Sequence, residues 1–334
     1  MRYSLQKIRL FAALCGLILL ILYRDYAIIG AQDGITQCIQ VIIPSLFPFF
    51  FITAYLNPLL LGISPAFIRR ICKHFGIPIG CEGIFLLGLV GGYPVGAQSI
   101  SEAYHRGTIC KNQAKILLGY CSNAGPAFIF GVIGQLFDSP IVPWLLWLIQ
   151  ILSALITGLL LPKDRSGKQQ TEAKSAISFP QALQKSLQIT ASVCGWIILF
   201  KVIMAIFIIK MPTWVVAKQS YYSGFLELSG GCLLLKGIGD ISVRFILCAV
   251  FLSFGGICVF MQTISAAVPF GLGLYLPGKL MQTCISMLLC LPILLIEGRN
   301  PYLCCFILLS CVLCIYLLRR LSRKKCGNYP CYVV

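Results

Sequence analysis

Charged residues are scarce in this 334-residue sequence, and acidic ones are scarcer still. Charged side chains make up 11% of the chain, with 10 Asp and Glu against 27 Lys and Arg. A water-exposed surface needs far more charge than this, so the scarcity excludes a soluble globular protein. Hydrophobic residues reach 58% and the mean hydropathy is +0.89. This composition indicates a polytopic membrane protein whose main partner is the lipid bilayer.

Signatures of catalysis and nucleotide binding are also missing. The two histidines, His74 and His105, fall in predicted loops, and no Gly-rich loop ends in Lys-Ser or Lys-Thr. Ser122 has no base partner visible in the sequence. We therefore expect no enzyme, no ATP-driven pump, no metal site and no cofactor. The net charge of +17 lies mostly in loops beside apolar stretches, which indicates membrane orientation and not nucleic-acid binding.

Ten apolar stretches predict an all-α fold of about eight transmembrane helices plus two re-entrant hairpins. The longer stretches approach the ~20 residues that cross a bilayer. Placing both termini in the cytoplasm puts most of the Lys and Arg, Lys279 among them, on the inside. The longer stretches are 8–23, 35–56, 116–136, 141–161, 187–209, 245–267, 280–296 and 302–318, and the short ones are 83–97 and 224–235.

The order of motifs suggests an internal repeat. The segment 35–41 resembles 183–189, and in each copy a Gly-Gly pair in a short stretch precedes a small-residue break in the next span. The predicted topology inverts the second copy, an arrangement typical of secondary transporters. The domains are then an anchor helix with an outer loop (1–34), a first repeat (35–161), a cytoplasmic linker (162–180), an inverted second repeat (181–297), and a last transmembrane helix with a basic tail (298–334).

Helix-breaking residues interrupt both copies. A broken helix at membrane depth is tolerated where protein or a water-lined cavity satisfies its backbone, so these breaks predict a solute site. The alternative is that small residues only permit close helix packing. The predicted breaks are Gly91, Gly92, Pro94 and Pro126 in the first copy and Gly230, Gly231, Gly255 and Gly256 in the second.

Polar residues beside these breaks are the candidate solute contacts. Pro126 suits the first turn of a new helix, whose positive end favours an anion or a carbonyl oxygen near Asn123. Ser122 and Asn123 are equally suited to capping that helix. The full set of predicted contacts is Ser122, Asn123, Gly125, Tyr93, Gln98, Ser253 and Gln262.

Two ionisable residues lie inside predicted membrane segments, where charge is expensive and usually functional. Glu227 precedes the second Gly-Gly pair, and Lys201 lies about twelve residues into its span. We expect them to carry a coupling ion or to form a charge pair. The alternatives are a solvated Glu227 near the outer interface and a Lys201 that snorkels to the surface.

Several segments together resemble the YlbJ-type sporulation integral membrane proteins, which carry the nucleoside-recognition or Gate domain. The matching segments are 43–50, 89–97, 121–129 and 253–257, although Phe254 stands where the first copy has Asn123. The resemblance implies the cytoplasmic or forespore membrane of a Gram-positive spore former.

It also implies a role in endospore formation. We expect transport of a small polar or anionic solute, such as a nucleoside or an aromatic dicarboxylate. The alternative is a non-transporting scaffold, with spore-maturation membrane proteins or a second copy of the chain as partners. A carrier requires Ser122, Asn123 and Glu227 to converge on one cavity.

Overall fold

The computed structural model describes residues 2–60, 66–164, 177–208, 211–296, 313–318 and 320. In these residues all regular structure is helical, so the all-α prediction is confirmed. The first half contains α1 (Arg2–Leu22), α2 (Arg24–Gln37), α3 (Ile43–Leu60), α4 (Ala66–Phe75), α5 (Glu82–Val90), α6 (Val95–His105), α7 (Lys111–Leu117), α8 (Pro126–Gly131) and α9 (Ile141–Leu160). The second half contains α10 (Phe179–Ile208), α11 (Thr213–Val216), α12 (Gln219–Leu226), α13 (Leu228–Leu234), α14 (Ile241–Phe254), α15 (Gly256–Ala267) and α16 (Tyr275–Ile296).

Four helical stretches of the described chain are long and apolar enough to cross a membrane. They are Arg24–Leu60, Ile141–Leu160, Phe179–Ile208 and Ile241–Ala267. The count of eight spans with two re-entrant hairpins remains a prediction. Most of the predicted span 302–318 and of the linker 162–180 lies outside the described residues.

The N-terminal segment differs from expectation, because residues 24–34 form α2 and not an outer loop. Gly30 and Gly34 are four residues apart and lie on the face of α2 that packs against α10. A Cβ on Gly30 would lie 2.7 Å from the Lys201 carbonyl oxygen, and one on Gly34 would lie 2.8 Å from the Ile198 Cα. This small-residue contact lets two membrane helices approach closely, which explains why the segment is held as a helix.

The second half repeats the element order of the first. Each half runs from a long helical segment to a helix pair, then to a broken helix, and ends in a long helix. In the first half these are α2 with α3, α5 and α6, α7 and α8, and α9. In the second half they are α10, α12 and α13, α14 and α15, and α16. This order agrees with an internal repeat, whereas inversion of the second copy and the domain limits stay predictions.

The helices of the first half are interrupted at the predicted positions. Non-helical residues separate α5 from α6 at 91–94 and α7 from α8 at 118–125, and Pro126 opens α8. The two breaks touch each other, since a Cβ on Gly125 would lie 2.7 Å from the Gly92 Cα. The apolar stretch 116–136 is therefore not one continuous span.

One of the two breaks in the second half was placed wrongly. Gly255 has a φ of +87°, which favours glycine, and it separates α14 from α15 as predicted. Gly230 and Gly231, by contrast, lie inside α13, and the chain breaks at Glu227 instead. The glycine at 231 serves packing, because a Cβ there would lie 2.1 Å from the Gly224 nitrogen of α12.

Candidate functional site

A central cavity lies where the broken segments of the two halves meet. Its volume is about 50 Å³. Its walls are mostly apolar side chains from α3, α8, α10 and α15. The break-associated residues at its surface are Gly91, Gly92, Tyr93, Ala124, Gly125, Glu227, Leu228, Ser229, Cys258 and Gln262.

Glu227 is the acidic group of this cavity, and its carboxylate caps a helix. The residue is 2% exposed, so the predicted alternative of a solvated Glu227 is wrong for the conformation described. Its oxygens accept hydrogen bonds from the Ser229 and Gly230 backbone N–H groups at 2.8 and 2.6 Å. The Ser229 hydroxyl also donates to it. A capping carboxylate at the positive end of a helix stabilises both the charge and the helix.

Gln37 of α2 brings the other half of the molecule to the same carboxylate. Its amide donates to the Ser229 hydroxyl at 2.7 Å and to Glu227 Oε2 at 3.5 Å. Gln37 is the last residue of α2, directly before the π-helical turn Cys38–Ile42. The Glu227 cluster, defined as Glu227, Ser229, Gly230 and Gln37, therefore links the two halves on one side of the cavity.

Lys201 lies close to this cluster without forming an ion pair in it. Its ammonium and Glu227 Oε2 lie 2.9 and 2.8 Å from the position that a Cβ on Gly230 would occupy. Among the described residues, no Lys201–Glu227 pair falls within the 4.0 Å limit of an ion pair. Lys201 and Glu227 thus both lie next to Gly230, but they do not form a direct ion pair in this conformation.

The main correction concerns Lys279, which the sequence placed in a cytoplasmic loop. Lys279 lies on α16 and is fully buried. Its ammonium donates to Gln282 Oε1 at 2.7 Å, to the Tyr93 hydroxyl at 3.0 Å and to Asn123 Oδ1 at 3.3 Å. The three acceptors equal the three N–H groups of an ammonium ion. No carboxylate of the described residues forms an ion pair with it.

Asn123 belongs to this Lys279 network and not to the cavity wall. Its amide donates to the carbonyl oxygens of Tyr120 and Gly88 at 2.7 and 2.9 Å. Its own oxygen accepts from Lys279 and from Gln282 Nε2. All of its hydrogen-bonding groups are therefore used inside the protein. The helix that follows, α8, has only six residues, so the predicted anion site at its start is not built by this geometry.

The same network reaches the break of the second half. The Tyr93 hydroxyl donates to the Leu252 carbonyl oxygen at 3.3 Å, and the Tyr93 ring lies under the Lys279 ammonium. Gln150 of α9 also donates to the Leu252 carbonyl and accepts from the Ser253 hydroxyl at 3.1 Å. The Lys279 network, defined as Lys279, Gln282, Asn123, Tyr93, Gln150 and Ser253, therefore joins both halves behind the cavity.

The structure does not bring all the predicted contacts together. Gly125, Gln262 and Glu227 line the cavity, Asn123 and Ser253 lie in the Lys279 network, and Tyr93 belongs to both. The Ser122 hydroxyl is buried and has no hydrogen-bond partner among the described residues, and Gln98 lies in a separate groove. The convergence of Ser122, Asn123 and Glu227 that a carrier was expected to need is therefore not observed. Of the three, only Glu227 lines the cavity, so a solute site there depends on other lining residues than those predicted.

A pattern in the sequence identifies several of the residues that were missed. On α16, Lys279, Gln282 and Ser286 are spaced at i, i+3 and i+7, so they form a polar stripe along one face of an apolar helix. Gln150, Ser153 and Thr157 repeat the same spacing on α9. The two stripes face each other, since Gln282 Nε2 lies 3.4 Å from the Ser153 hydroxyl. Gln37 and Ser229 offer no comparable pattern.

A second polar cluster lies at the end of α6, which is outside the four candidate membrane helices. Glu102 of α6 pairs with Lys185 of α10 at 2.9 Å and with Arg106, and it accepts from the Asn57 amide of α3 at 2.8 Å. Burial raises the pKa of the Glu102 carboxyl, but the Lys185 ammonium and the Arg106 guanidinium outweigh burial and hold it below its ordinary value.

Comparison with known proteins adds one partial similarity. The chain is 28% identical over 159 residues to the sporulation integral membrane protein YlbJ of Bacillus subtilis (strain 168). The aligned part covers 45% of this chain and 38% of that relative, so it spans well under half of either protein. No family model matches the chain, and no solved structure matches it.

Proposed function

We propose that this chain is a membrane carrier that binds a small polar solute in the central cavity and moves it across a membrane during endospore formation. One observation supports this most directly: the cavity is walled by broken-helix segments of both halves, with Gly92 and Gly125 on one side and Glu227 and Cys258 on the other. Solute sites of secondary transporters are commonly built where broken helices of two repeats meet.

The lining suggests what kind of solute fits. Most of the wall is apolar, and the side chains in it with hydrogen-bonding oxygen or nitrogen atoms are few, namely Tyr93, Glu227, Ser229 and Gln262. Such a wall suits a compact solute with an apolar body and a small number of polar groups. The acidic group at the surface is Glu227, whereas the Lys279 side chain lies behind Tyr93. The lining therefore favours an uncharged solute or a hydrogen-bond donor over a dianion.

The sporulation part of the proposal draws on the relative, which is named as a sporulation integral membrane protein. The described chain supplies a compatible membrane character through its four long apolar helices. We extend this to the cytoplasmic or forespore membrane and to both termini in the cytoplasm. We also propose a Gate-type fold built from a first repeat and an inverted second repeat.

A scaffold is the second candidate, and the Lys279 network favours it. Asn123, which lies in the break between α7 and α8, satisfies the hydrogen bonds of its side chain within the protein. Broken helices with such internally satisfied polar groups are also compatible with a stable framework for binding other spore-maturation proteins. A scaffold does not need a cavity that binds solute, which separates the two proposals experimentally.

The test is ligand-dependent thermal stability in detergent. Uridine, adenosine and pyridine-2,6-dicarboxylate are added separately to the purified chain, and the thermal midpoint is recorded. A solute that binds the native state raises this midpoint by mass action. We expect a nucleoside to raise it and the dicarboxylate to have the weaker effect.

Variants of the cavity wall assign the site. Val259→Phe fills the cavity and Gln262→Leu removes a polar contact, so both should abolish the ligand-induced rise. Gln135→Leu is the matched control, because Gln135 is exposed and lies outside the cavity. If no solute raises the midpoint of the wild type, the carrier proposal fails and the scaffold is favoured.

A further inference from the structure

A polar groove lies beside the central cavity and shares two of its helices. The groove has a volume of about 560 Å³ and opens to the surface. Both spaces are lined by α10 and α15, and the groove is also lined by α6, whose preceding break lines the cavity. The groove residues on these helices are Gln98, Ser101, Glu102, His105, Lys185, Gln188, Ile189, Ser192, Ser265 and Ala266.

Along both α10 and α15, the residues that line the cavity and those that line the groove occupy adjacent stretches of the helix. On α10, Val193 lines the cavity and Ser192 lines the groove. On α15, the cavity ends at Gln262 and the groove begins at Ser265, three residues later. One helical turn is about 5.4 Å, so roughly one turn of side chains separates the groove from the cavity.

The composition of the groove distinguishes it from a lipid-facing surface. Uncharged polar side chains such as Gln98, Ser192 and Ser265 line it, together with the ion pair of Glu102 and Lys185. In membrane proteins such side chains face the bundle interior or a water-filled space. The lipid-accessible faces of the long helices, in contrast, present large apolar residues such as Leu199 and Ile203.

The ion pair ties two walls of the groove together. Glu102 lies on α6 and Lys185 lies on α10, and their 2.9 Å contact therefore crosses from one helix to the other. The Asn57 amide of α3 holds the same carboxylate in place. Separation of α6 from α10 at this end requires the pair to break.

We propose that this groove is the aqueous approach to the central cavity from one face of the membrane, and that the Glu102–Lys185 pair restricts its opening. At this face of the membrane α6 and α15 end and α10 begins. The inference rests on the proposed solute site, but accessibility is measured without any solute, so the two can fail separately.

The experiment measures one-sided labelling of cysteines in oriented vesicles with a membrane-impermeant methanethiosulfonate reagent. Ser265→Cys and Ser192→Cys report on the groove, and the native Cys258, which lines the cavity, reports on passage through it. Ser139→Cys is the control for the opposite face, because Ser139 precedes α9 and is exposed, whereas α9 ends near the groove's face. Mass spectrometry of peptides resolves each site, and Cys258→Ser gives the background from other cysteines.

We expect the two groove cysteines to react from one side and Ser139→Cys from the other. Cys258 should react more slowly, from the groove's side. Glu102→Gln should raise the Cys258 rate about fivefold, the factor expected for losing a partly exposed ion pair. Ser265→Trp should lower that rate by narrowing the groove.

Three results would overturn the proposal. Labelling of the groove cysteines from the Ser139 side would show that the groove does not open to the assigned face. A Cys258 that reacts only from the Ser139 side, or from neither side, would show that the groove does not lead to the cavity. An unchanged labelling rate of Cys258 in Glu102→Gln would show that the Glu102–Lys185 pair does not restrict the opening of the groove.

Discussion

The Lys279 network and the Glu227 cluster are both buried and polar, yet they are built in opposite ways. Lys279 is held by Gln282 on its own helix and by two neutral acceptors far away in the sequence, Tyr93 and Asn123. Glu227 is an anion held mainly by groups two and three residues away on its own helix, with Gln37 added from α2. The Lys279 network depends on the assembly of both halves, whereas most of the Glu227 cluster forms with one helical turn.

The position of each network relative to the cavity also differs. Glu227 and Ser229 lie at the cavity surface, while Lys279 and Asn123 lie behind Tyr93. Solute contact is therefore expected of the Glu227 cluster. The Lys279 network is expected to fix how the first-half break and the second-half break are positioned against each other.

The largest effect should come from Asn123→Ala. This change removes four hydrogen bonds whose other partners stay buried, so the free energy of unfolding should fall by about 3 kcal/mol or more. Reversible unfolding in mixed detergent micelles measures the loss. Ser122→Ala is the adjacent control, because the buried Ser122 hydroxyl has no hydrogen-bond partner in the part of the chain that the structure describes, and it should leave stability unchanged or slightly higher. If both variants lost the same free energy of unfolding, the hydrogen bonds of Asn123 would not account for its contribution to stability.

An intermediate effect is expected for Glu227→Ala. Loss of the cap frees two buried N–H groups of α13 and should cost about 2 kcal/mol in the same measurement. Asp240→Ala removes a comparable cap on α14 at an exposed site, where about 1 kcal/mol is expected. If the exposed cap cost more than the buried one, burial of Glu227 would add nothing to its capping role.

The smallest change should follow from Lys279→Met, despite complete burial of the residue. Removing an ammonium that lacks a carboxylate partner recovers a burial penalty of several kcal/mol, while the acceptor left on Gln282 costs about 1–3 kcal/mol. The two terms oppose each other, so stability should stay within about 1 kcal/mol of the wild type. Lys279→Ala adds a cavity and should be clearly less stable, by about 2–4 kcal/mol. A Lys279→Met loss as large as that of Asn123→Ala would show that the charge itself holds the halves together.

The membrane class and most of the breaks were predictable from sequence, because they depend on composition and on local backbone chemistry. Low charge and long apolar runs require a bilayer, Pro126 suits the start of a helix, and Gly255 suits a positive φ. The prediction of a break at Gly230 and Gly231 was wrong, because glycine allows close helix contact as well as helix breaking and the local sequence does not distinguish the two. Glu227 caps the helix that contains them, and the contact with Gly224 that requires Gly231 is not visible in the sequence.

The partners of the buried charges were decided by tertiary structure alone. Lys279, Asn123 and Tyr93 are far apart in sequence, and their hydrogen bonds depend on how α16 packs against both breaks. Local rules placed Lys279 at a membrane edge, since a lysine beside an apolar run normally snorkels to water. Only the assembled helices offer it three buried acceptors. The sequence determined that the helices break and that polar groups lie on them, and long-range packing decided which of these groups meet the cavity.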